Sequence, residues 1–446
     1  MDDDLKKLLE EKKISLSKGL SYVLSQDEST IKLPRGLVKD VIKNFKKFSL
    51  KDVHKDRETA SELILLILSN FTFTWVREAK LKGNYTDNNF IQLNSKLLKR
   101  QVGTGSNKAR YKIILKLLIN NNFLQKGLGY KKNVKSNSYR INDKYYNKNI
   151  EEYKLKTSYA IKQHKKNIQE KLLETLENKI ALNELQNLNR IELPTREEVL
   201  NHLKYYSKRS WKNKKGKQLK VLGKKKRENK YVYVEDYLKL YQILKSNFNT
   251  PKTLGENAGH RVVTKFNMMP SLIRALFKVT GSEEKLIGLD FSCFHPALSV
   301  RIYLGPNNPE ITHEDVANFL KKQKKFSKLN FKELRKISKK EHLSFFNMKI
   351  EHLRKSKIYK YYKEKHPELL HKVENDKIEK GYKHTSKLLF KAETRIMTEI
   401  VKRCQKRGII TIYVYDELLV QETRVEEVRK IMQQVCSEQK LNIKIK

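Results

Sequence analysis

Two apolar segments that each run into an aspartate constrain the fold of this chain most strongly. Residues 284–290 read EKLIGLD and continue into FSCFHPAL, a pattern typical of a strand that turns into a helix. Residues 408–420 read GIITIYVYDELLV, which places Asp416 and Glu417 at a tight turn between β-branched and aromatic residues, as in a hairpin. A sheet can bring both segments together although Asp290 lies far from Asp416 along the chain.

The aspartates at these two strand ends predict a metal site. Two carboxylates on adjacent strand ends repel each other unless a divalent cation lies between them. A two-metal phosphoryl-transfer site needs such a pair, because one ion activates the attacking 3′-hydroxyl and the other stabilises the leaving pyrophosphate. We expect Asp290 and Asp416 to hold two Mg²⁺ ions, for which Mn²⁺ can substitute. Taken singly, Asp290 is also typical of a helix N-cap and Asp416 of a turn.

The charge of the chain predicts a polyanionic partner. Its 446 residues contain 96 Lys and Arg against 50 Asp and Glu, which gives a formal net charge of +46. Neutralising phosphates releases counterions, so this surplus favours a nucleic acid and argues against an enzyme of small neutral molecules. Charge alone does not separate DNA from RNA. A hydrophobic content of 38% argues against wholesale disorder.

Cysteine usage and hydropathy indicate the compartment. The three cysteines lie far apart and predict neither a disulfide framework nor a zinc site, so a reducing compartment is expected. The acidic start lacks the apolar core of a signal peptide, and the most apolar run, residues 63–76, is too short and polar to span a bilayer. We therefore expect a soluble protein of the bacterial or host cytoplasm with no membrane partner.

Residues 58–147 predict three helices followed by a basic hairpin. The predicted elements are helix 62–80, helix 95–101, helix 108–120, strand 123–124, a Gly- and Lys-rich tip 126–135 and strand 138–141. This order resembles the winged helix-turn-helix modules of plasmid and phage replication proteins. The resemblance implies that Lys108 and Arg110 lie near a DNA groove, with Lys131 and Lys132 on phosphates. The alternative is a small α+β domain with an incidental basic loop.

The remaining parts of the chain are less distinctive. Residues 1–57 are expected to form an N-terminal helical segment, and residues 148–190 predict a charged helical linker without Gly or Pro. Residues 191–446 would form the domain that contains both aspartate segments. Within it, residues 211–229 carry dense positive charge, which is typical of either a solvated loop or a phosphate-binding arm.

A helix between the two aspartate segments offers cations for a nucleotide. Arg335 and Lys339 are four residues apart, so they share a helix face. Phe345 or Phe346 further along that helix would provide a ring for a base. In a chain so rich in lysine, a solvated helix face is the alternative.

Together these segments resemble the palm and fingers of the family A DNA polymerases and the related single-subunit phage-type RNA polymerases. Asp290-Phe-Ser is similar to the first palm motif, and the segment 414–417 (VYDE) is similar to the third. The spacing of Arg335 and Lys339 resembles that of the fingers helix. Gly259-His-Arg261 resembles the Gly-Arg segment ahead of the palm. The resemblance covers roughly residues 256–446.

The resemblance implies a role for each matched residue. Asp290 and Asp416 would ligate the metals, with the carbonyl of Phe291 as a third ligand. Glu417 would lie near the primer terminus or support the metal site. Further contacts are implied for the nucleotide and the nucleic acid: Arg335 and Lys339 with the triphosphate, and Arg261 with the template or primer backbone. This chain departs from the family at Tyr415, where a His is usual, and it lacks the aromatic-Gly pair expected after Lys339.

The choice of sugar depends on His295, five residues after Asp290. Family A DNA polymerases have a Glu at the matching position, and phage-type RNA polymerases have a small residue. A bulky side chain there would collide with a ribose 2′-hydroxyl. Under this resemblance His295 therefore favours dNTPs.

These observations predict an α+β protein in which a winged-helix-like domain and charged connecting helices precede an antiparallel-sheet polymerase palm with helical fingers. The predicted function is that of a compact DNA-directed DNA polymerase, a nucleotidyltransferase of a phage, plasmid or mobile element. Its substrates would be a DNA primer-template and dNTPs, with RNA as the alternative nucleic acid. The alternative functions are a catalytically inactive replication initiator or DNA-binding protein, and a single-subunit RNA polymerase or primase-like enzyme.

Overall fold

The computed structural model divides the chain into two compact units. It describes residues 29–46, 48–75, 90–103, 110–127, 137–146, 148, 150–213, 216–223, 228, 230–245 and 251–446. The first unit comprises Met1–Glu174 and Thr195–Ser246, and the second comprises Thr175–Pro194 and Asn247–Lys446. Both combine helices with small sheets, which are antiparallel apart from one two-stranded pair. The predicted α+β class is confirmed at this level.

The secondary structure alternates short strands with helices throughout. Up to residue 245 the described elements are β1 (Thr30–Pro34), α1 (Leu37–Phe45), α2 (Arg57–Trp75), β2 (Ile91–Gln92), α3 (Ser95–Val102), α4 (Arg110–Asn120), β3 (Leu124–Lys126), β4 (Ser138–Ile141), α5 (Asp143–Tyr146), β5 (Ile150–Lys154), α6 (Ser158–Leu176), α7 (Lys179–Asn187), β6 (Ile191–Glu192), α8 (Arg196–Lys208), β7 (Gln218–Lys220), β8 (Tyr231–Tyr233) and α9 (Val234–Leu244). From residue 251 they are β9 (Lys252–Thr253), β10 (Val262–Val263), α10 (Lys265–Met268), α11 (Ser271–Arg274), β11 (Lys278–Val279), β12 (Leu286–Asp290), α12 (Phe294–Tyr303), α13 (His313–Lys321), α14 (Phe331–Phe345), α15 (Ile350–Leu353), α16 (Tyr359–Lys365), α17 (Pro367–Glu379), α18 (His384–Lys406), β13 (Thr411–Val414), β14 (Glu417–Gln421) and α19 (Val425–Glu438).

Helix α2 lies at the centre of the first unit. The residues from Leu63 to Leu68 are buried on every face of the helix, which is expected of a helix surrounded by other elements. The helix begins at Arg57, five residues before the predicted start, because Asp56 accepts a hydrogen bond from the backbone N–H of Thr59 at 2.8 Å and caps it. Part of the predicted helix, residues 76–80, lies outside the described residues.

The elements from α2 to β4 follow the predicted order. Helix α2, strand β2, helices α3 and α4 and strands β3 and β4 succeed one another, and the three strands pair in the order β2-β4-β3. Strand β4 has the predicted bounds, and α3 begins at Ser95 as predicted. Asn94 caps this helix. Most of the predicted tip of the hairpin, residues 128–135, lies outside the described residues.

The compact units do not follow the predicted domain boundaries. Strand β1, within the expected N-terminal segment, pairs with β5, and both lie in the first unit. The expected helical linker 148–190 begins with strand β5, whose sequence IEEYK is too polar to indicate a strand. Residues 195–246, expected to belong with the aspartate segments, lie in the first unit instead.

A small antiparallel sheet organises the second unit. Strand β14 pairs with β12 on one side and with β13 on the other. Residues 444–446 pair with the free side of β12: the Asp290 N–H donates to the Lys446 carbonyl at 3.1 Å, and the Lys446 N–H donates to the Asp290 carbonyl at 2.9 Å. One face of the sheet, which includes Leu289, Leu418 and Val420, packs on the helical core.

Helix α7 covers the free edge of β13. The Asn183 and Asn187 amides donate to the Thr411 carbonyl at 2.9 and 3.1 Å, and the Tyr413 N–H donates to the Oε1 atom of Glu184 at 2.7 Å. These side chains satisfy backbone groups that an edge strand would otherwise leave open. The sheet therefore depends on a helix more than 220 residues earlier in the chain.

None of the described helices combines the length and the apolar character that crossing a membrane would require.

Candidate active site

The sheet brings the acidic residues of the two strand segments to one place. Asp290 ends β12 and is the register partner of Glu417, which begins β14. Directly opposed residues on antiparallel strands share a face, with Cβ atoms about 4.5–5.5 Å apart. Asp416 immediately precedes Glu417 in the turn. The two segments that the sequence singled out are thus neighbours in the fold, as predicted.

Tyr415 and Asp416 form the two-residue connection of the β13–β14 hairpin. Val414 and Glu417 close the hairpin as register partners, and Tyr415 has a φ of 64°. Two-residue hairpin loops of the favoured types need a positive φ at their first position, which is uncommon for a residue with a side chain. The hairpin therefore holds Asp416 at the tip of a strained turn.

Gly288 makes room for the Glu417 carboxylate. A Cβ added at Gly288 would overlap the Oε1 atom of Glu417. The missing side chain lets this carboxylate lie across β12, two residues before Asp290.

Arg274, at the end of α11, is a buried cation beside Glu417. The residue is only 8% exposed, and its Nη1 atom lies 3.8 Å from the Oε2 atom of Glu417. Burial lowers the pKa of Arg274 below its usual value, and the charge of Glu417 opposes that shift. Its Nε and Nη1 atoms have no hydrogen-bond partner among the described residues. Arg274 therefore places a buried positive charge beside Glu417.

Glu393 of α18 anchors two predicted site residues. This fully buried carboxylate accepts a hydrogen bond from Nε of Arg261 at 2.7 Å, a second from Nη2 of the same guanidinium, and contacts Nε2 of His295 at 2.8 Å. Burial acts to raise the pKa of Glu393, but His295 and Arg261 together lower it. Arg261 also lies over the Phe390 ring, 3.7 Å from its centroid. Glu393 therefore holds both side chains in position.

Gly259 allows the Gly-Arg segment to approach α18 closely. Its φ of 63° lies in the left-handed region, and an added Cβ would overlap the backbone of Phe390 and Lys391. Glycine is the residue that tolerates both conditions. Its presence two residues before Arg261 thus has a direct structural reason.

Electrostatics make Asp416 a poor site for an isolated negative charge. Burial raises its pKa above the usual value, and the negative charge of Glu393 raises it further, against the opposing effect of His295 and Arg261. A carboxylate in such a place is stabilised by a proton or by a bound cation.

The donor set at this site suits a magnesium ion that is shared with a substrate. Across the described residues, no group of three or more His, Cys, Asp or Glu side chains is arranged to hold a metal ion. Mg²⁺ usually binds through one or two carboxylates and completes its shell with water and substrate phosphates. Asp290 and Asp416 fit that chemistry, and their metal ligation stays a prediction, as does that of the Phe291 carbonyl.

The fingers-like helix is present as α14, but its aromatic residues are not accessible. Arg335 is half-buried and its Nε donates to Glu314 at 2.5 Å, while Lys339 is exposed. Phe345 and Phe346 are each 1% exposed and lie in the core. The expectation that one of them stacks on a base is therefore wrong, because hydrophobic packing of the helix end turns both rings inward.

Of the predicted DNA contacts in the first unit, only Arg110 is among the described residues. Arg110 donates from Nη1 to the Val102 carbonyl at 2.7 Å and contacts the Tyr159 hydroxyl at 2.6 Å, so its guanidinium is engaged inside the unit. Its expected place near a DNA groove stays a prediction. The remaining predicted contacts, Lys108, Lys131 and Lys132, lie outside the described residues.

Neither Glu393 nor Arg274 was predicted from the sequence as a site residue. A signal for Glu393 exists, since it follows Leu389 by four residues and precedes Met397 by four, on the apolar face of its helix. An acid on such a face must find a buried partner. Arg274 has no comparable pattern around it. No protein-family model matches the chain, and none of the curated proteins is significantly similar to it.

Proposed function

We propose that the protein is a template-directed nucleotidyltransferase, a compact DNA polymerase that adds nucleotides to a primer 3′-hydroxyl. The observation that carries the proposal is the register of Asp290 against Glu417, with Asp416 in the adjoining turn. The polymerase-like palm and the winged-helix-like module are parts of this proposal.

The carboxylates would hold two divalent ions. When bound, such ions lower the pKa of an attacking hydroxyl and stabilise the charge on a leaving pyrophosphate. Asp290 and Asp416 would hold the ions from two neighbouring strand ends. The unfavourable surroundings of the Asp416 carboxylate support this role, because a cation would offset both its burial and the charge of Glu393.

Cations around the carboxylates would position the polyanionic substrates. Arg261 is held in position by Glu393, and the buried Arg274 forms an ion pair with Glu417 through Nη1. Lys339 on α14 is exposed and available to a triphosphate. Arg335 would need to share its guanidinium with Glu314. In this proposal the protein mainly orients charged groups, which is the main protein contribution to phosphoryl transfer.

A second candidate function rests on the first unit. The helix–strand–helix–helix–strand–strand order, with its β2-β4-β3 sheet, supports a duplex-binding module. A replication initiator without catalytic activity would need no more than that module and the positive charge. It predicts sequence-specific duplex binding without nucleotide incorporation.

Primer extension tests the proposal directly. The purified chain is supplied with a labelled primer-template, dNTPs and Mg²⁺, and extension rates are compared for wild type, Asp290→Asn and Asp416→Asn. Each substitution should reduce the rate at least about 100-fold, since a bound metal contributes several kcal/mol of charge stabilisation and 1.36 kcal/mol is tenfold. Glu351→Gln, at an exposed acid of α15, should extend at the wild-type rate.

Two outcomes would count against catalysis. Wild type that fails to extend any primer, with either dNTPs or rNTPs, favours the initiator. Equal extension by wild type and both aspartate variants places the chemistry elsewhere. Extension with rNTPs and without a primer would instead indicate a primase-like enzyme.

A further inference from the structure

Helix α14 carries a continuous row of lysines on its outer face. Lys332, Lys336 and Lys340 follow one another at four-residue intervals, and all three are exposed. At a rise of about 1.5 Å per residue, neighbouring lysines are roughly 6 Å apart along the helix axis. The opposite face of the helix is buried. Its inward residues are Leu334, Ser338, His342 and Phe345.

These lysines have no acidic partner among the described residues. The two glutamates of the helix are engaged elsewhere. Glu333 accepts a hydrogen bond from the Asn330 N–H at 2.9 Å, within the capping box of the helix. Glu341 accepts from the Ser356 hydroxyl at 2.7 Å and from the Lys357 N–H at 3.1 Å. The row therefore presents its charge to solvent.

The segment that leads into α14 extends the positive surface. Lys321 closes its loop by donating to the carbonyls of Ser327 and Leu329 at 3.0 and 2.8 Å. Four more lysines along it are exposed: Lys322, Lys324, Lys325 and Lys328. Residues 321–340 thus contain ten Lys and Arg against one acid, Glu333.

This surplus is not shared by every helix of the unit. Helix α17, in the same unit, has two lysines and four acids, and α19 has two cations and three acids. A uniform bias towards lysine would charge these helices as well. The concentration on one outer face indicates a surface that meets a polyanion.

We propose that the row formed by Lys332, Lys336 and Lys340 binds the phosphate backbone of a nucleic-acid strand. A regular series of ammonium groups suits a regular series of phosphates, and neither base contacts nor a particular sequence is needed. Binding here goes beyond the proposed function, because it does not require chemistry at Asp290 or Asp416. The strand belongs either to a single-stranded template or to a duplex.

Salt-dependent binding tests the proposal. Fluorescence anisotropy of labelled single-stranded and duplex oligonucleotides, without nucleotides, gives Kd over a range of salt concentrations for the full chain. Simultaneous Lys→Gln substitution at residues 332, 336 and 340 should lower the slope of log K against log salt by about 2 for single strands or about 2.7 for duplex. Binding at 100 mM salt should weaken roughly tenfold or more. The substrate with the larger loss identifies the strand.

Three controls keep the result specific. The triple Lys→Arg variant should bind like wild type, and the triple Lys→Gln variant at Lys402, Lys406 and Lys430, exposed elsewhere in the same unit, should keep the wild-type slope. Glu351→Gln, at an exposed acid outside the row, should also keep it. An unchanged slope in the Lys332/Lys336/Lys340 variant, or an equal loss in the Lys402/Lys406/Lys430 control, would overturn the proposal. The same anisotropy measurement with labelled polyglutamate provides a further check. If the Lys332/Lys336/Lys340 variant lost as much affinity for polyglutamate as for the oligonucleotides, the result would indicate an acidic protein partner and would overturn the proposal.

Discussion

His295 lies between the Glu393 carboxylate and the Arg261 guanidinium, and these two contacts give its ring a defined position. Its Nε2 atom is 2.8 Å from Glu393 and 3.3 Å from Nη2 of Arg261. In the proposed polymerase this ring lies near the sugar of the incoming nucleotide. A fixed, bulky group is what steric exclusion of a 2′-hydroxyl requires.

The His295→Ala variant is expected to relax sugar discrimination. Removing the ring opens space for the hydroxyl, and contacts of that size are usually worth about 10- to 200-fold in specificity. The measurement is the ratio of kcat/KM for a dNTP to that for the matching rNTP in primer extension. His295→Phe keeps the bulk but loses the contact with Glu393, so it should retain exclusion. An unchanged ratio in His295→Ala would contradict the proposal that the His295 ring excludes a 2′-hydroxyl.

Residue types and strand ends gave the right neighbours for Asp290, Asp416 and Glu417, because an apolar segment that ends in an acid has few places in a sheet. Burial was harder to foresee. Phe345 and Phe346 end an amphipathic helix, and only the packing of α14 on its neighbours decides that both rings point inward. The contact of Glu393 with Arg261, 132 residues earlier in the chain, likewise depends on the tertiary fold.

At the level of elements, helix α7 covers the edge of β13, and one of the side chains that make this contact is a buried acid. Burial raises the pKa of Glu184 to about 8, although the hydrogen bond from the Tyr413 N–H acts in the opposite direction. The folded protein therefore holds a proton on Glu184 at pH 6, whereas the unfolded chain does not. Stability from this group is full below about pH 4.5 and is lost as pH rises through about 8.

Glu184→Gln should remove this pH dependence, since the amide imitates the protonated acid. Between pH 5.5 and 8, wild type should lose about 3 kcal/mol more unfolding free energy than the variant, at 1.36 kcal/mol per pH unit. Urea unfolding at both pH values measures the difference. Glu177→Gln, an exposed position just before α7, should behave like wild type. The same pH dependence in wild type and Glu184→Gln would contradict the assignment.

Elements with local signals were predictable. Helix α8 begins at Arg196, where Thr195 and Glu198 form a capping box, and the hairpin around Asp416 follows its β-branched flanks. Strands β1 and β5 were not predictable. Each is five residues long, and their pairing joins residues 30–34 to residues 150–154, which no local pattern indicates.

The whole molecule is built from two units whose chain segments alternate. The second unit takes residues 175–194 from the middle of the chain and then continues from residue 247. A sequence-based boundary at residue 191 would cut away α7, because continuity along the chain is all that the sequence offers. Two long-range contacts, β1 with β5 and α7 with β13, instead decide which segments belong together.

Two fragments should show this organisation. A fragment of residues 175–446 keeps α7, and we expect a cooperative thermal transition by circular dichroism. A fragment of residues 191–446 exposes the β13 edge and leaves the Tyr413 N–H without its acceptor, so it should aggregate or unfold without a sharp transition. Both contain residues 195–246, so the comparison isolates α7. Equal cooperativity in the two fragments would show that the helix is dispensable.

The pairing of residues 444–446 with β12 has a practical consequence. Lys446 and Asp290 exchange two backbone hydrogen bonds, so this short segment shields the outer side of the strand that carries the acid. A bulky reporter coupled at Lys446 would therefore lie beside that strand end and should disturb any assay that depends on Asp290.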